Sequence, residues 1–324
     1  MQAPKSSAKL VTVFGGSGFL GRYVVQALAR RGHRIRVAVR RPDLAGHLQP
    51  LGMVGQIKAI QANLRYRWSV DRAVEGADAV INLVGILAEG GRQTFDAVQA
   101  FGPRAIGEAA RAQGIANVVH VSAIGVDQPS TAGYMRSKAE GESGLREVMP
   151  TAVVIRPSIL FGPEDDFFNR FAAMARLSPA LPLIGGGMTR FQPVFAGDVG
   201  EAIARAIDGG AEAGTTYELG GPEVLTFRQC MEKTLAVTGR KRLLLPIPWF
   251  AGRIMGRVGQ HLPGKPITLD QVRMLMLDNV VSAEAAEEKR TLEGLGIEPT
   301  ALEIVLPTYL KRFREHGEFA QAHG

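Results

Sequence analysis

The amino-acid sequence predicts an α/β protein with a doubly wound parallel sheet and a smaller C-terminal α/β lobe. Short apolar runs of strand length alternate with stretches of helical periodicity through the first half of the chain. A glycine-rich turn connects the first apolar run to the first helical stretch, and after about Gly162 turn-rich segments replace the regular alternation. We therefore predict a first domain at 1–162 and a smaller lobe at 163–324 that is intertwined with it.

The elements of the predicted sheet follow one another in a regular order. The predicted strands are short and rich in Val and Ile: Leu10–Phe14, Ile35–Val39, Ile57–Ile60, Ala79–Val84, Val118–Ser122 and Ala152–Ile155. The predicted helices of the first domain are Gly18–Arg31, Phe95–Gln113 and Ala132–Val148, and the lobe adds Asp198–Ile207, Thr226–Thr238 and Pro299–Phe313. Helices that connect successive strands imply right-handed crossovers and therefore a parallel sheet.

Composition excludes several classes of protein. With 324 residues, 46% of them hydrophobic, the chain is too apolar to be disordered. Its single cysteine, Cys230, excludes an internal disulfide framework. The six histidines show no spacing typical of a metal site, so we predict no metal. No run of about 18 apolar residues occurs, so we predict no transmembrane span.

A glycine-rich turn marks the predicted ligand site. Gly15, Gly18 and Gly21 lie three residues apart between the first strand and the first helix, a pattern typical of Rossmann-type dinucleotide-binding folds. The glycines permit a tight turn and a close approach of backbone N–H groups to a pyrophosphate, and the helix N-terminus attracts negative charge. A glycine-rich turn without a ligand is the alternative. We predict that the dinucleotide contacts the whole loop, namely Gly15, Gly16, Ser17, Gly18, Phe19, Leu20 and Gly21.

Two arginines indicate which dinucleotide to expect. NAD sites carry an acidic residue near the end of the second strand, where it holds the ribose 2′-hydroxyl. This chain has Arg40 and Arg41 there and no carboxylate before Asp43. Guanidinium groups bind phosphate through bidentate, charge-assisted hydrogen bonds. We therefore predict NADP(H) as the cofactor, in preference to a pair of solvated loop charges.

The charge distribution is consistent with a phosphate-bearing ligand. Residues 1–75 hold thirteen Lys or Arg against three Asp or Glu, whereas the whole chain has a net charge of +7. Such a surplus also suits nucleic acid, an acidic partner or anionic lipid. We predict no nucleic-acid binding, because arginines that alternate along one buried strand form no continuous outer face with interleaved aromatic residues.

Residues after two further strands complete the predicted cofactor site. Asn82, Val84 and Gly85 end the AVINLV strand, and small and amide groups there are predicted to line the adenine and ribose. The same residues suit a plain strand end and turn equally well. Asn63, after the third strand, occupies the position expected for an adenine-contacting residue.

A Ser–Tyr–Lys set forms the predicted catalytic group. Tyr134 and Lys138 lie four residues apart, which places both side chains on one face of a helix. A neighbouring ammonium lowers the pKa of a phenol, and such a tyrosine exchanges a proton with an alcohol or carbonyl oxygen while nicotinamide exchanges hydride. Ser122 is predicted to hydrogen-bond the same oxygen. Two alternatives remain: these side chains only hold and pack against the nicotinamide ribose, or the set persists in a protein without turnover.

Residues 246–261 carry apolar side chains and arginines at near-helical spacing. The apolar members include Trp249, Phe250 and Ile254, and Arg253 and Arg257 are expected on another face. Such a segment suits a membrane interface or the groove of a partner protein. An ordinary helix packed on the core of the lobe is the alternative.

Many stretches of the chain resemble extended and atypical members of the short-chain dehydrogenase/reductase family. They are VFGGSGFLGRYVVQALARRG, VINLVGIL, VVHVSAIG, YMRSKAEGE, IRPSILFGPEDDFFNRFA, QPVFAGDVGEAI, LPIPWFAGRIMGRV and PITLDQVRMLMLDN. Of these, FGPEDDFFNRFA and PITLDQV are more specific: they are similar to the NADPH-binding accessory subunits of respiratory complex I, NADH:ubiquinone oxidoreductase.

This narrower resemblance implies a location as well as a ligand. It implies NADPH held tightly on the Gly15–Gly21 loop, with Arg40 toward its 2′-phosphate and with Pro157, in the IRPSILFG stretch, among the cofactor contacts. It implies a peripheral position on the inner membrane, on the cytoplasmic side in a bacterium or the matrix side in a mitochondrion, against core subunits near the quinone-binding module. In that family the nucleotide is regarded as structural, outside the electron path.

Two functions of different classes follow from the sequence. The first is an accessory, largely structural NADPH-binding subunit of complex I, with lipid headgroups as a further contact of residues 246–261. The second is a free-standing NADP-dependent reductase or epimerase acting on a carbonyl compound or sugar nucleotide, for which the Ser–Tyr–Lys set is present. A regulator that senses NADP is a third possibility.

Overall fold

The computed structural model describes residues 8–262, 267–315 and 317. Its strands are β1 Leu10–Phe14, β2 Arg34–Val39, β3 Ile57–Gln61, β4 Ala79–Asn82, β5 Asn117–Val121, β6 Val153–Pro157, β7 Leu160–Phe161, β8 Ala180–Ile184, β9 Arg190–Phe191, β10 Val194–Phe195, β11 Thr216–Leu219, β12 Leu225–Thr226 and β13 Leu243–Ile247. Its α-helices are α1 Phe19–Arg30, α2 Arg67–Val74, α3 Phe101–Ala112, α4 Gly133–Val148, α5 Phe167–Leu177, α6 Ala196–Ile207, α7 Phe227–Thr238, α8 Trp249–Gly259, α9 Leu269–Met274, α10 Ala283–Glu287 and α11 Leu302–Leu310.

A seven-stranded parallel sheet forms the centre of the fold. Its strand order is β11-β6-β5-β4-β1-β2-β3, and every neighbouring pair is parallel. The order reverses direction at β1, so the chain winds first toward β3 and then toward β11. This is a Rossmann-type doubly wound sheet, and the predicted fold class is confirmed.

Helices cover both faces of this sheet. Successive residues of a strand point to opposite faces, so Val11 and Val13 of β1 join one core cluster with α1 and α6, whereas Phe14 joins another with α2, α3 and α4. Helices α1 and α6 touch closely, because Gly200 of α6 meets the backbone of Tyr23. Both faces of the sheet are therefore covered by helices, as is usual for parallel sheets.

The second half of the chain contributes to the same sheet and also builds a lobe. Strand β11 pairs with β6 and completes the sheet edge. Short two-stranded pairings, β7 with β10, β9 with β12 and β8 with β13, build the remainder together with α5, α7 and α11 around a phenylalanine-rich core. The division of the chain at Gly162 stays a prediction.

Local differences from the predicted elements have local causes. The predicted helix at 95–113 is present, but Asp96–Ala100 form a π-helical turn ahead of α3. Helix α4 packs there so closely that a Cβ on Gly141 would lie 2.0 Å from the carbonyl oxygen of Gln99. Helix α2 and a 3-10 helix at Pro42–Leu51 are short and were not predicted. Pro266 of the PITLDQV stretch lies outside the described residues. None of the described helices is long and apolar enough to cross a membrane.

Candidate dinucleotide site

The glycine-rich loop has the backbone geometry that the sequence predicts. Gly15 adopts a left-handed φ of +78°, and its carbonyl oxygen accepts a hydrogen bond from the Gly18 N–H at 3.1 Å. A Cβ on Gly21 would lie 2.4 Å from the carbonyl oxygen of Gly16, so α1 starts directly against the loop. The first N–H groups of α1 lack a side-chain cap and are available to a ligand.

A cavity of about 470 Å³ lies over this loop, at the carboxyl ends of β1, β2, β3 and β4. Most of the predicted cofactor contacts line it, whereas Gly16 packs inward against Val13 and Val37, and Pro157 is buried at the end of β6. The lining residues are Phe14, Gly15, Ser17, Gly18, Phe19, Leu20, Gly21, Ala38, Val39, Arg40, Arg41, Leu44, Ala62, Asn63, Leu64, Arg65, Leu83, Val84, Gly85, Ile86, Gln93 and Val98.

Among the described residues that line the cavity are three arginines and no carboxylate. Arg40 and Arg41 follow β2, and Arg65 follows β3. The sequence pattern indicated the glycines, Arg40 and Arg41 as cofactor contacts, but it did not indicate Arg65. Arg41 forms an ion pair with Asp43 at 2.6 Å, which lowers the pKa of that carboxyl. The guanidinium of Arg40 lies against the side-chain amide of Gln93, a neutral group. The positive charge of Arg40 is therefore available to pair with a phosphate group.

Asn82 builds the wall of the cavity and does not line it. Its Oδ1 accepts a hydrogen bond from the N–H of Val84 at 3.1 Å, and Oε1 of Gln99 accepts one from the N–H of Ile86 at 2.7 Å. Asn82 is buried, because it ends a central strand, and its Nδ2 contacts Nδ1 of His120 at 3.1 Å. Val84 and Gly85 thus line the cavity and Asn82 supports the backbone behind them, while the cofactor contacts of this segment stay a prediction.

The Ser–Tyr–Lys set lies beyond Gly85. The Nζ of Lys138 would be 3.4 Å from a Cβ on Gly85, and it donates a hydrogen bond to the carbonyl oxygen of Val121 at 2.9 Å. The Oγ of Ser122 is buried without a hydrogen-bond partner among the described residues. The ring of Tyr134 packs edge-on against Phe95, with centroids 6.2 Å apart. None of the three side chains lines the cavity, and Lys138 adjoins it through Gly85; the catalytic role of the set stays a prediction.

The electrostatics of this set differ from the expected activation. Desolvation raises the pKa of Tyr134 to about 12, with no compensating effect of an ammonium, so the phenol is neutral at physiological pH. Desolvation also lowers the pKa of Lys138 to about 8, although Glu142 acts in the opposite direction. The Lys138 ammonium donates to the Val121 carbonyl in this conformation, and the activation of Tyr134 by Lys138 stays a prediction.

The cost of burying the Lys138 ammonium is expected to disappear at alkaline pH. Its pKa is about 8 in the folded chain and 10.5 in the reference state. Between these values the unfolded chain binds more protons, so this group makes the free energy of unfolding rise with pH. In urea unfolding, the free energy of unfolding of wild type is therefore expected to rise relative to that of Lys138→Met as the pH increases from about 8 to 10.5. A difference that stays constant with pH would contradict the lowered pKa.

Asp270 of α9 is a site residue that sequence reasoning missed. Its carboxylate accepts hydrogen bonds from the N–H groups of Gly133 and Tyr134, at the start of α4. No local pattern could indicate this contact, since 136 residues separate Asp270 from Tyr134. Within the described part of the chain, no group of three or more His, Cys, Asp or Glu side chains is arranged to hold a metal ion.

The glycine face of α8 is turned inward and its large side chains are turned outward. Gly252, Gly256 and Gly259 are buried, whereas Phe250 is 67% and Ile254 is 58% exposed. We call the exposed apolar and basic side chains of this helix the α8 surface: Phe250, Arg253, Ile254, Met255, Arg257 and Val258. Trp249 does not belong to it, because its ring packs against Gly185. Arg253 and Arg257 are exposed together with the apolar side chains, and their separation onto another face of the helix stays a prediction.

Fold and loop together define a dinucleotide-binding protein of the epimerase/dehydratase type. The profile of the NAD dependent epimerase/dehydratase family matches residues 11–220. The chain is 35% identical over 314 residues to NADH dehydrogenase (ubiquinone) 1 alpha subcomplex subunit 9, mitochondrial, of Rattus norvegicus. The alignment covers 96% of this chain and 82% of that protein. The Arabidopsis thaliana counterpart is 32% identical, with 96% and 79% covered. The chain therefore belongs to the NAD dependent epimerase/dehydratase family and, within it, to the family of these subunit 9 proteins.

Solved structures support the fold alone. The crystal structure of gox2253 has a TM-score of 0.72 and 19% sequence identity, and covers 96% of this chain and 100% of that chain. DesIV, a dTDP-glucose 4,6-dehydratase from Streptomyces venezuelae with NAD and TYD bound, has a TM-score of 0.70 and 21% identity, with 94% and 96% covered.

Proposed function

We propose that this chain binds NADP(H) in the cavity over the Gly15–Gly21 loop. The residues present fit such a ligand, because the loop offers uncapped N–H groups at a helix N-terminus for a pyrophosphate. The observation that carries the choice of NADP(H) is the set of three arginines, Arg40, Arg41 and Arg65, with no carboxylate among the described residues that line the cavity. A 2′-phosphate bears the charge that these guanidinium groups complement. Bound nucleotide then stabilises the folded chain by mass action.

The protein serves as an accessory subunit of complex I. Support comes from relatives that carry this function in their names and that align over nearly the whole chain, including the 40 kDa subunit of NADH-ubiquinone oxidoreductase of Neurospora crassa at 29% identity. Its partners in this proposal are core subunits near the quinone-binding module. Its position is peripheral on the inner membrane, on the cytoplasmic side in a bacterium or the matrix side in a mitochondrion.

The nucleotide has a structural role in this proposal. Tyr134 holds its proton tightly, with a pKa of about 12, and Phe95 packs against its ring. Lys138 donates to a backbone carbonyl and adjoins Gly85 in the cavity wall, which suits a residue that holds the ribose more than one that activates a phenol. Turnover would need both groups to change their surroundings.

Replacing Tyr134 by phenylalanine is expected to leave nucleotide binding intact. The hydroxyl makes no hydrogen bond that its loss would break among the described residues, and the ring contact with Phe95 persists. The measurement is the amount of NADP(H) that co-purifies with wild type and variant, together with its oxidation by a panel of carbonyl compounds. We expect equal occupancy and no oxidation in either protein.

A free-standing reductase is the second candidate function. It is favoured by the complete Ser122, Tyr134 and Lys138 set and by a ceramide reductase of Caulobacter vibrioides that is 34% identical over 175 residues, 54% of each chain. Steady oxidation of NADPH by a carbonyl substrate, abolished in the Tyr134→Phe variant, would establish this function and contradict the structural one.

The α8 surface contacts lipid headgroups in this proposal. Phe250, Ile254 and Val258 recur at four-residue spacing on the exposed side of α8, and Arg253 and Arg257 flank them. Apolar side chains beside arginines suit the boundary between anionic headgroups and acyl chains. Ile254→Asp together with Val258→Asp is expected to reduce co-sedimentation with vesicles of phosphatidylcholine and phosphatidylglycerol about tenfold, because each carboxylate opposes insertion. Equal sedimentation of wild type and variant would contradict the lipid contact.

A further inference from the structure

The helix that carries Tyr134 and Lys138 depends on another part of the chain for its N-terminal cap. Residue Ala132 offers no side-chain cap to α4. Instead, Oδ1 of Asp270 accepts from the N–H of Gly133 at 2.6 Å and Oδ2 accepts from the N–H of Tyr134 at 3.0 Å. A carboxylate at this position satisfies two otherwise unpaired donors and interacts favourably with the positive end of the helix.

The segment that holds Asp270 is itself pressed against α8. A Cβ on Gly256 would lie 2.8 Å from the Cα of Leu269, and a Cβ on Gly259 would lie 2.6 Å from the carbonyl oxygen of Ile267. Thr268 and Gln271 form a capping box that fixes the start of α9. Backbone therefore meets backbone between α8 and α9, and a displacement of α8 moves Asp270 without flexible side chains to absorb it.

The other end of this connection reaches the dinucleotide cavity. Helix α4 carries Lys138, whose Nζ adjoins Gly85 in the cavity wall. It also carries Ser137, whose Oγ accepts from Gln99, the residue that holds the N–H of Ile86. A shift at the start of α4 therefore reaches two residues of the wall, Gly85 and Ile86.

We infer that Asp270 is a positioning residue that couples the α8 surface to the dinucleotide cavity. This inference rests on the proposed function, in which the α8 surface binds anionic lipid and the cavity binds NADP(H). Lipid at the α8 surface fixes α8 and α9, and Asp270 then holds α4 in the arrangement that closes the cavity wall. By linkage, lipid raises the affinity for NADPH, and NADPH raises the affinity for lipid by the same factor.

The test compares NADPH affinity with and without a membrane surface. The full-length protein is titrated with NADPH, followed by nucleotide fluorescence, in buffer and with vesicles of phosphatidylcholine and phosphatidylglycerol. We expect the wild-type Kd to fall about fivefold with these vesicles, at the lower end of allosteric couplings. Asp270→Ala is expected to bring the ratio of the two Kd values close to one, and Asp270→Asn, which keeps one acceptor oxygen, to an intermediate ratio.

A matched variant and separate readouts make the outcomes distinct. Asp278→Ala removes a carboxylate from the same segment, one that binds Arg190 and does not contact α4, and is expected to keep the wild-type ratio. A ratio of one in wild type that binds both ligands overturns the coupling, as does an unchanged ratio in Asp270→Ala. Wild type that fails to bind vesicles or fails to bind NADPH overturns the proposed lipid contact or the proposed cofactor, respectively, and the coupling with it.

Discussion

Replacing Arg40 with aspartate is expected to weaken NADPH binding about 100-fold, because the change removes charge-assisted hydrogen bonds to the 2′-phosphate and adds a repelling carboxylate. NADH lacks this phosphate, so its Kd is expected to change by no more than a few-fold, since a carboxylate at this position suits the free ribose hydroxyl of NADH. Of the two adjacent arginines, Arg40 is the better choice for this substitution, because Arg41 already forms an ion pair with Asp43.

Isothermal titration calorimetry of both nucleotides against wild type and the Arg40→Asp variant gives the change in Kd for NADPH and for NADH, and the ratio of these two changes tests the assignment. Arg111→Asp, at an exposed position in the last turn of α3, makes the same charge change away from the cavity and is expected to leave both affinities unchanged. Equal losses for NADPH and NADH in the Arg40 variant would contradict the assignment of this side chain to the 2′-phosphate.

Replacing Arg156 with methionine is expected to lower the free energy of unfolding by about 3 to 5 kcal/mol, the usual cost of leaving a buried charge unpaired. Arg156 of β6 is 13% exposed and binds Glu142 of α4 through two bonds, at 3.0 and 2.8 Å. Glu142 is only 6% exposed, and Glu218 of β11 lies 3.7 Å from the same guanidinium. The pair thus connects β6, the strand next to the sheet edge, to the helix of the Ser–Tyr–Lys set.

Urea unfolding of matched variants separates burial from charge. Arg104→Met breaks two more exposed pairs, with Glu147 at 2.6 Å and with Glu108 at 3.2 Å, and is expected to cost about 1 kcal/mol or less. A double variant, Arg156→Met with Glu142→Leu, is expected to recover part of the lost stability, because the Glu142 carboxylate is removed while the buried Glu218 keeps the hydrogen bond from the N–H of Ser282. Similar losses for Arg156→Met and Arg104→Met would show that the buried pair is not desolvated as the structure indicates.

Sequence patterns predict the parts of this fold whose causes are local. The glycine spacing of the Gly15–Gly21 loop encodes its turn, and apolar runs bounded by turns encode the parallel strands. The arginines after β2 were recognisable because the second strand of such a fold ends beside the cofactor. These features need only the residues within one β-turn-α unit.

Features that depend on tertiary contacts had no comparable signal. The cap that Asp270 provides to α4 joins residues that lie 137 positions apart along the chain. The pKa of Tyr134 depends on desolvation, and the spacing of Tyr134 and Lys138 cannot show that the ammonium donates to Val121. The inward glycines of α8 likewise invert the usual rule that large apolar residues mark the buried face of a helix.

Migration of the native protein in a mild-detergent gel tests the central claim most directly. We expect the chain, detected by antibody, to run with the intact respiratory complex and NADP(H) to be released from the excised band on denaturation. We expect the Tyr134→Phe variant to run at the same position. A chain that runs only as a small free species, with an empty cavity or with rapidly cycling nucleotide, would contradict a structural role for this coenzyme in the complex.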